Sequence, residues 1–153
     1  MALLSMLLLL AVLVIGTTQG DVAYNFIPVY NASKYMVSKI PEPFDLAKMN
    51  ARCKGSGGYL VQIDNYHEYS YLKYKLRKIR DRSRSLVYTG ITDLGSEGRF
   101  YNYNDRKPAG YLKWRRRHPD NWRGSEHCVN ISRWGLNDIG CGGNARHICE
   151  IPV

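Results

Sequence analysis

The hydrophobic pattern changes period once along residues 21–153. In residues 44–53 the apolar positions Phe44, Leu46, Ala47, Met49 and Ala51 suit a short helix, and Gly55 stops it. Residues 59–63 are β-rich. Asn65 and Glu68 then form a capping-box pattern, in which Glu68 can reach back to the cap's backbone N–H. The helix that follows carries Leu72, Leu76 and Ile79 as a buried stripe. Residues 35–38 form a short strand candidate, ended by Pro41 and Pro43. Beyond Ser85 the helical period is lost. Residues 86–92, 99–103, 111–114, 128–131 and 146–151 predict short strands, separated by Gly, Asn, Asp and Pro turns. Along 128–131, Cys128 and Asn130 share one face and Val129 and Ile131 the other. Two helices followed by short antiparallel strands is an α+β order. Residues 104–127 and 132–145 are polar, Gly- and Pro-containing loops, and long loops in a compact domain tend to carry function.

Residues 1–15 are almost wholly apolar, and Thr18, Gln19 and Gly20 precede the polar start at Asp21. An apolar core of about 15 residues is short of the ~20 that span a bilayer. Residues 1–20 therefore read as a secretory signal peptide and 21–153 as one mature domain. No other apolar run is long enough to span, so no membrane span is expected. In a secreted chain the four cysteines, Cys53, Cys128, Cys141 and Cys149, imply two disulfides. The count allows three pairings and does not choose among them. A cysteine-ligated zinc is the competing reading, weakened by the lack of any Cys-x-x-Cys pair.

The formal net charge is +9. It concentrates in two blocks: Lys73, Lys75, Arg77, Lys78, Arg80, Arg82 and Arg84, and then Lys113, Arg115, Arg116 and Arg117. Such surfaces attract polyanions, including acidic glycans, anionic lipid and bacterial envelope. A solvated helix face explains the first block equally well. The second block immediately precedes His118, where the chemistry is densest. Asp120, Asn121, Glu126, Asn137 and Asp138 cluster there, with Cys128 and Cys141 close behind each half. Clustered carboxylates and amides suit a hard cation such as Ca²⁺, which takes six to eight oxygens.

At this point the residues match a family. Cys53-Lys54-Gly55-Ser56-Gly57-Gly58-Tyr59-Leu60, Tyr88-Thr89-Gly90-Ile91 and Glu97-Gly98-Arg99-Phe100 resemble successive motifs of the C-type lectin-like domain. So do Trp114 with Pro119, Glu126-His127-Cys128-Val129, Asn137-Asp138 with Cys141, and His147-Ile148-Cys149-Glu150. Their order runs through nearly all of 21–153. The resemblance implies a fold of two helices packed on short antiparallel strands, with a long irregular calcium and ligand loop. It implies the pairing Cys53–Cys149 and Cys128–Cys141. It also implies a calcium ion held by His118, Asp120, Glu126, Asn137 and Asp138, completed by vicinal hydroxyls of a sugar.

His118 departs from the family, which has Glu or Gln there in a Glu-Pro-Asn or Gln-Pro-Asp triplet. Asp120, Glu126 and Asp138 still supply three carboxylates, the same charge as either family site. Imidazole is a poor ligand for hard calcium, so weaker binding is expected, and a His/Asp/Glu set also admits zinc. Protonation of an imidazole there opposes a dication, so binding should fall with pH.

The His-Pro-Asp triplet groups with the galactose-type sites. Trp122 stands where galactose-binding members stack a ring on the sugar; packing of the loop is the plainer role for it. Sugar contacts are thus expected from Asp120, Trp122, Glu126, Asn137 and Asp138. Arg115, Arg116 and Arg117 favour acidic or sulfated forms of galactose or N-acetylgalactosamine. Trp114 and Leu136 read as core, and His67, His127 and His147 as isolated histidines. Asn31 and Asn130 head glycosylation sequons, Asn31 being the better placed near the N-terminus.

The implied function is a secreted calcium-dependent lectin, with innate immune recognition of microbial glycans as its setting. The alternative is a calcium-independent protein of extracellular matrix, mineral or anionic surfaces on the same fold. No nucleophile–base spacing points to an enzyme, and nucleic acid is not an expected partner. Lectin avidity usually needs several sites per particle, so an oligomer is compatible with this reading.

Overall fold

The computed structural model describes residues 23–79 and 86–153. The proposed signal peptide and Arg80, Arg82 and Arg84 lie outside the described residues. The chain runs β1 (Tyr24–Tyr30), β2 (Ser33–Ser38), β3 (Glu42–Pro43), α1 (Leu46–Gly55), β4 (Tyr59–Leu60) and α2 (Tyr66–Ile79). It continues as β5 (Val87–Thr92), β6 (Tyr101–Asn102), β7 (Cys128–Ser132), β8 (Gly135–Ile139) and β9 (Asn144–Pro152). Helices packed on one sheet system give the expected α+β, C-type lectin-like architecture. Among the described residues no helix is long and apolar enough to cross a membrane.

The strand order is β1-β2-β9-β5-β7-β8, with β3 and β4 also on β9 and β6 on β5. One pairing corrects the all-antiparallel expectation: β9 lies parallel to β5, through Val87–Arg146 and Tyr88–His147. β9 is therefore the seam of the molecule, since it also pairs antiparallel with β2. Residues 111–114 do not form a strand; only Trp114 bridges, parallel to Leu136. Conversely, β8 falls inside the expected loop 132–145. In β7 the two faces do not differ in exposure, because Cys128, Val129, Asn130 and Ile131 are all buried.

Local rules explain the helix ends. Asp45 caps α1 by accepting from the Lys48 N–H at 2.8 Å. Phe44 thus stays outside the helix and stacks on Tyr88, ring centroids 3.9 Å apart. Asn65 caps α2 through the Glu68 N–H at 3.0 Å. The Glu68 carboxylate reaches back one residue further than a capping box requires, to the Asp64 N–H at 2.8 Å. Leu72 and Leu76 face the core with Val61, Ile63, Ile91 and Ile148, while Ile79 is half-buried at its edge.

Two disulfides join the parts, with the expected pairing: Cys53–Cys149 and Cys128–Cys141. The first ties α1 to β9 across a sequence separation of 96. Closing so long a loop contributes about 4–5 kcal/mol in the chain-entropy view. Gly58 lets the turn before β4 cross β9, since a Cβ there would lie 2.0 Å from the Glu150 carbonyl oxygen.

Two buried titrating groups sit on β9, on opposite sides of the same balance. Burial pushes Glu150 up to about 7, although Ser33 Oγ donates to it at 2.8 Å. Glu68 is pushed up by burial as well, and Glu68 and Asp64 further raise Glu150. Burial pushes His147 down to about 4. Glu42, 3.6 Å from its Nδ1, opposes that shift and Arg52 adds to it. The folded state therefore keeps a proton on Glu150 that the unfolded chain releases, and stability falls as pH rises from about 4.5 to about 7. It lacks one on His147 that the unfolded chain takes up, so stability falls as pH drops from 6.5 to about 4. The slopes oppose each other over their shared interval. Glu150→Gln should unmask the histidine slope, so that stability rises with pH by about 1 kcal/mol per unit more than in wild type. Urea denaturation between pH ~5 and ~6.5 measures this, and an unchanged slope would refute the assignment.

Candidate functional site

The polar excursion between β6 and β7 is laid against β8 by backbone bonds. The Leu136 N–H donates to Lys113 O and the Arg115 N–H to Leu136 O, both at 2.8 Å. Gly135, at φ 143, makes this approach possible, because a Cβ would stand 2.5 Å from the Arg115 nitrogen. Leu136 is buried as expected, and Trp114 packs on Phe100 with centroids 4.7 Å apart. The next turn, closed by the His118 N–H on Arg115 O at 3.2 Å, delivers His118 to the end of β8. The His118–Pro119 peptide is cis.

Asp138 organises the site. Its side chain is only 1% exposed, and both oxygens are engaged. Oδ2 accepts the backbone N–H groups of Asp120 at 2.8 Å and Asn121 at 2.6 Å. Oδ1 lies 2.7 Å from His118 Nδ1, which is also 3.1 Å from Asp120 Oδ1. Further along, Glu126 Oε2 accepts the Trp122 N–H at 3.1 Å, and Asn121 Oδ1 accepts the Glu126 N–H at 3.1 Å. Burial pushes the Glu126 carboxyl above the usual carboxylate range, and the charges of Asp138 and Asp120 push it further. The loop thus brings His118, Asp120, Glu126 and Asp138 together.

Asn137 is buried on β8 in register with Asn130 of β7. Its Oδ1 has no hydrogen-bond partner, a costly condition that a cation would relieve. Asp120 and Asp138 converge on His118, Glu126 is close enough to feel both, and oxygen donors of this kind suit a hard divalent ion. His118 is the exception. A lone pair on Nδ1 cannot be given to a metal while that atom donates a hydrogen bond to Asp138. Cation binding through His118 Nδ1 therefore requires its contact with Asp138 to be released, whereas Nε2 keeps its lone pair.

Trp122 begins a single 3-10 turn, Trp122–Gly124, and is 59% exposed, so it does not pack the loop. The Arg123 guanidinium stands 4.2 Å from its ring centroid. Arg116 and Arg117 are exposed and Arg115 half-buried. Asn31 is exposed in the β1–β2 turn, but Asn130 is wholly buried between β5 and β8. The folded strand leaves no space for a glycan there, which corrects the reading of Asn130 as an acceptor.

Two histidines read as isolated have partners. His127 Nδ1 lies 3.1 Å from Asp93 Oδ1 and 3.5 Å from Glu97 Oε2. His147 Nε2 meets the Tyr24 hydroxyl at 3.1 Å. Asp93 and Arg123 were not marked by any local pattern. Asp93 is 34 positions from His127, and only the pairing of β5 with β7 joins them.

Removing Asp138 should release the loop while leaving the core. Asp138→Ala leaves two backbone N–H groups and His118 without their acceptor, and is expected to cost about 3–5 kcal/mol. Amide exchange at Asp120 and Asn121 should accelerate well before that of α1. Protection of those two amides equal to wild type would contradict the role given to Asp138.

Comparison with known proteins agrees with this geometry. Residues 43–151 match the family model described as the lectin C-type domain. The salivary C-type lectin 1 of Aedes albopictus is 28% identical over 107 residues, covering 64% of this chain and 70% of that protein. A hemolymph lipopolysaccharide-binding protein of Periplaneta americana is 30% identical over 127 residues, covering 78% of this chain but 49% of that protein. Among solved structures, the carbohydrate-recognition domain of the mouse scavenger receptor C-type lectin superposes with a TM-score of 0.69 at 25% identity. That match covers 82% of this chain and 92% of the mouse domain. The chain belongs to the C-type lectin domain family.

Proposed function

We propose that this protein is a secreted lectin whose loop 118–138 binds a galactose-type glycan through a calcium ion. The family is one of carbohydrate-binding, non-enzymatic domains. The observation that carries the finer reading is the gathering of His118, Asp120 and Asp138, with Glu126 close enough to feel both aspartates. Asp120, Glu126, Asn137 and Asp138 would hold the ion, with His118 at the fifth position. A bound Ca²⁺ supplies coordination positions for two vicinal sugar hydroxyls. The chain's own part is to hold the carboxylates, through the Asp138 hydrogen bonds, and to offer the exposed Trp122 ring to the sugar's C–H face.

The His-Pro-Asp triplet and Trp122 support galactose or N-acetylgalactosamine. The cations of Arg115, Arg116 and Arg117 beside the loop support acidic forms of those sugars. Secretion rests on the leader at 1–20, with 21–153 as the mature domain, and on the two disulfides, which persist in oxidising compartments. A role in innate recognition of microbial glycans draws on the lipopolysaccharide-binding name of the cockroach relative.

A second reading has its own observation. His118 already bridges Asp120 and Asp138, so its ring takes up carboxylate oxygens that a cation would approach. The protein would then bind anionic matrix, mineral or microbial surfaces without calcium. The two readings separate on a glycan array with and without chelator. Calcium-dependent binding to galactose-type glycans supports the first, and chelator-insensitive binding supports the second. Calorimetry on His118→Gln should show calcium affinity raised about tenfold over wild type. Equal affinities in the two proteins would remove His118 as the weak ligand.

A further inference from the structure

We propose a second glycan-binding site, independent of calcium, in the cleft between α2 and the β7–β8 turn, with a sulfated polysaccharide as its ligand. The cleft has a volume of about 320 Å³ and is lined by Tyr66, Lys73, Tyr74, Arg77, Lys113 and Trp134. The four α2 members recur at positions that share one helix face, away from the core stripe of Leu72 and Leu76. From Tyr66 to Arg77 this face runs about 16 Å, room for a chain rather than a single sugar.

Three rings are exposed on this one cleft: Tyr66 at 57%, Tyr74 at 52% and Trp134 at 68%. Solvent-facing aromatic rings are ordinary when scattered, but their convergence marks a binding surface. Each ring has a cation or ring beside it. Arg133 stands 4.0 Å from the Trp134 centroid and Lys78 4.8 Å from that of Tyr74. Tyr66 sits edge-on to Tyr111 at 6.2 Å.

A merely solvated helix face would mix charges. Here the sole acid of α2, Glu68, is buried on the other side, hydrogen-bonded to the Tyr35 hydroxyl and the Asp64 N–H. Lys73 and Arg77 of α2 therefore face the cleft, with Lys113 across from them, and no carboxylate of α2 offsets them. Cations interleaved with flat rings suit a polymer bearing both anions and apolar faces: guanidinium and ammonium pair with sulfate, and rings stack on sugar C–H faces. Single-stranded nucleic acid meets the same two demands. The disulfides place the chain where thiols stay oxidised, and the fold is a glycan-binding one, so the sulfated glycan is the ligand assigned.

Binding of a heparin-derived hexasaccharide to the full secreted chain, in excess chelator, tests this. The expected result is binding that weakens steeply with salt and is lost with the desulfated hexasaccharide. Trp134→Ala should weaken it about tenfold, and Lys73→Ala with Arg77→Ala by more than that. Both variants change exposed or half-exposed side chains, and far-UV dichroism verifies their fold. Trp134→Ala should leave calcium-dependent glycan binding at loop 118–138 as in wild type, so the two sites fail or stand separately. Binding abolished by chelator, unchanged in both variants, or weaker than that of a single-stranded oligonucleotide of matched charge would overturn the assignment.

Discussion

The carboxylate of Asp138 is the interaction on which the site depends. It is buried at the end of β8, and it fixes the backbone at Asp120 and Asn121 while holding the His118 ring. An irregular segment has no ladder to fix its shape. A buried acceptor receiving two backbone N–H groups does the work that neighbouring strands do elsewhere, at the cost of desolvating a charge. The bonds that hold the loop therefore use the same oxygens that a cation would approach. A cation bound there would compete with the bonds that order the loop.

The rest of the molecule exists to place that acceptor. β8 pairs with β7, β7 with β5, and β5 runs parallel to β9, the strand that also carries Cys149, Glu150 and His147. Cys128–Cys141 closes the β7–β8 hairpin beyond Asp138, and Cys53–Cys149 locks α1 to the seam. Gly135 then allows the backbone at Arg115 to lie directly on the hairpin. Rigid strands below and a loop above is the usual division between scaffold and site.

What was legible in the sequence follows from which forces act locally. The stripe of Leu72 and Leu76, the cap at Asn65 and the stop after α1 depend on neighbours a turn away, and the periodicity shows them. The family resemblance supplied the disulfide pairing, which residue counts left open. β8 was hidden because Asn137 and Asp138 make its pattern polar. Both are buried all the same, so a polar pattern there did not mean a loop. The alternation in β7 misled for a related reason, since both of its faces are covered. Asn130 looked like a glycan acceptor because a sequon carries no information about burial. The partners of His127 and the bridge from His118 to two carboxylates are long-range contacts, and nothing within a few residues announces them. Such failures of local reasoning fall mostly at the site, as expected where function overrides local preference.

The central claim is that loop 118–138 holds a hard cation through Asp120, Glu126, Asn137 and Asp138, within reach of Trp122. Terbium luminescence tests it most directly, because Tb³⁺ takes calcium-type oxygen sites and, on selective tryptophan excitation, emits when an indole is close by. The account predicts terbium emission on tryptophan excitation, displaced by added Ca²⁺ and lost in Trp122→Phe while terbium still binds by calorimetry. No terbium binding, or emission undiminished in Trp122→Phe, would contradict it.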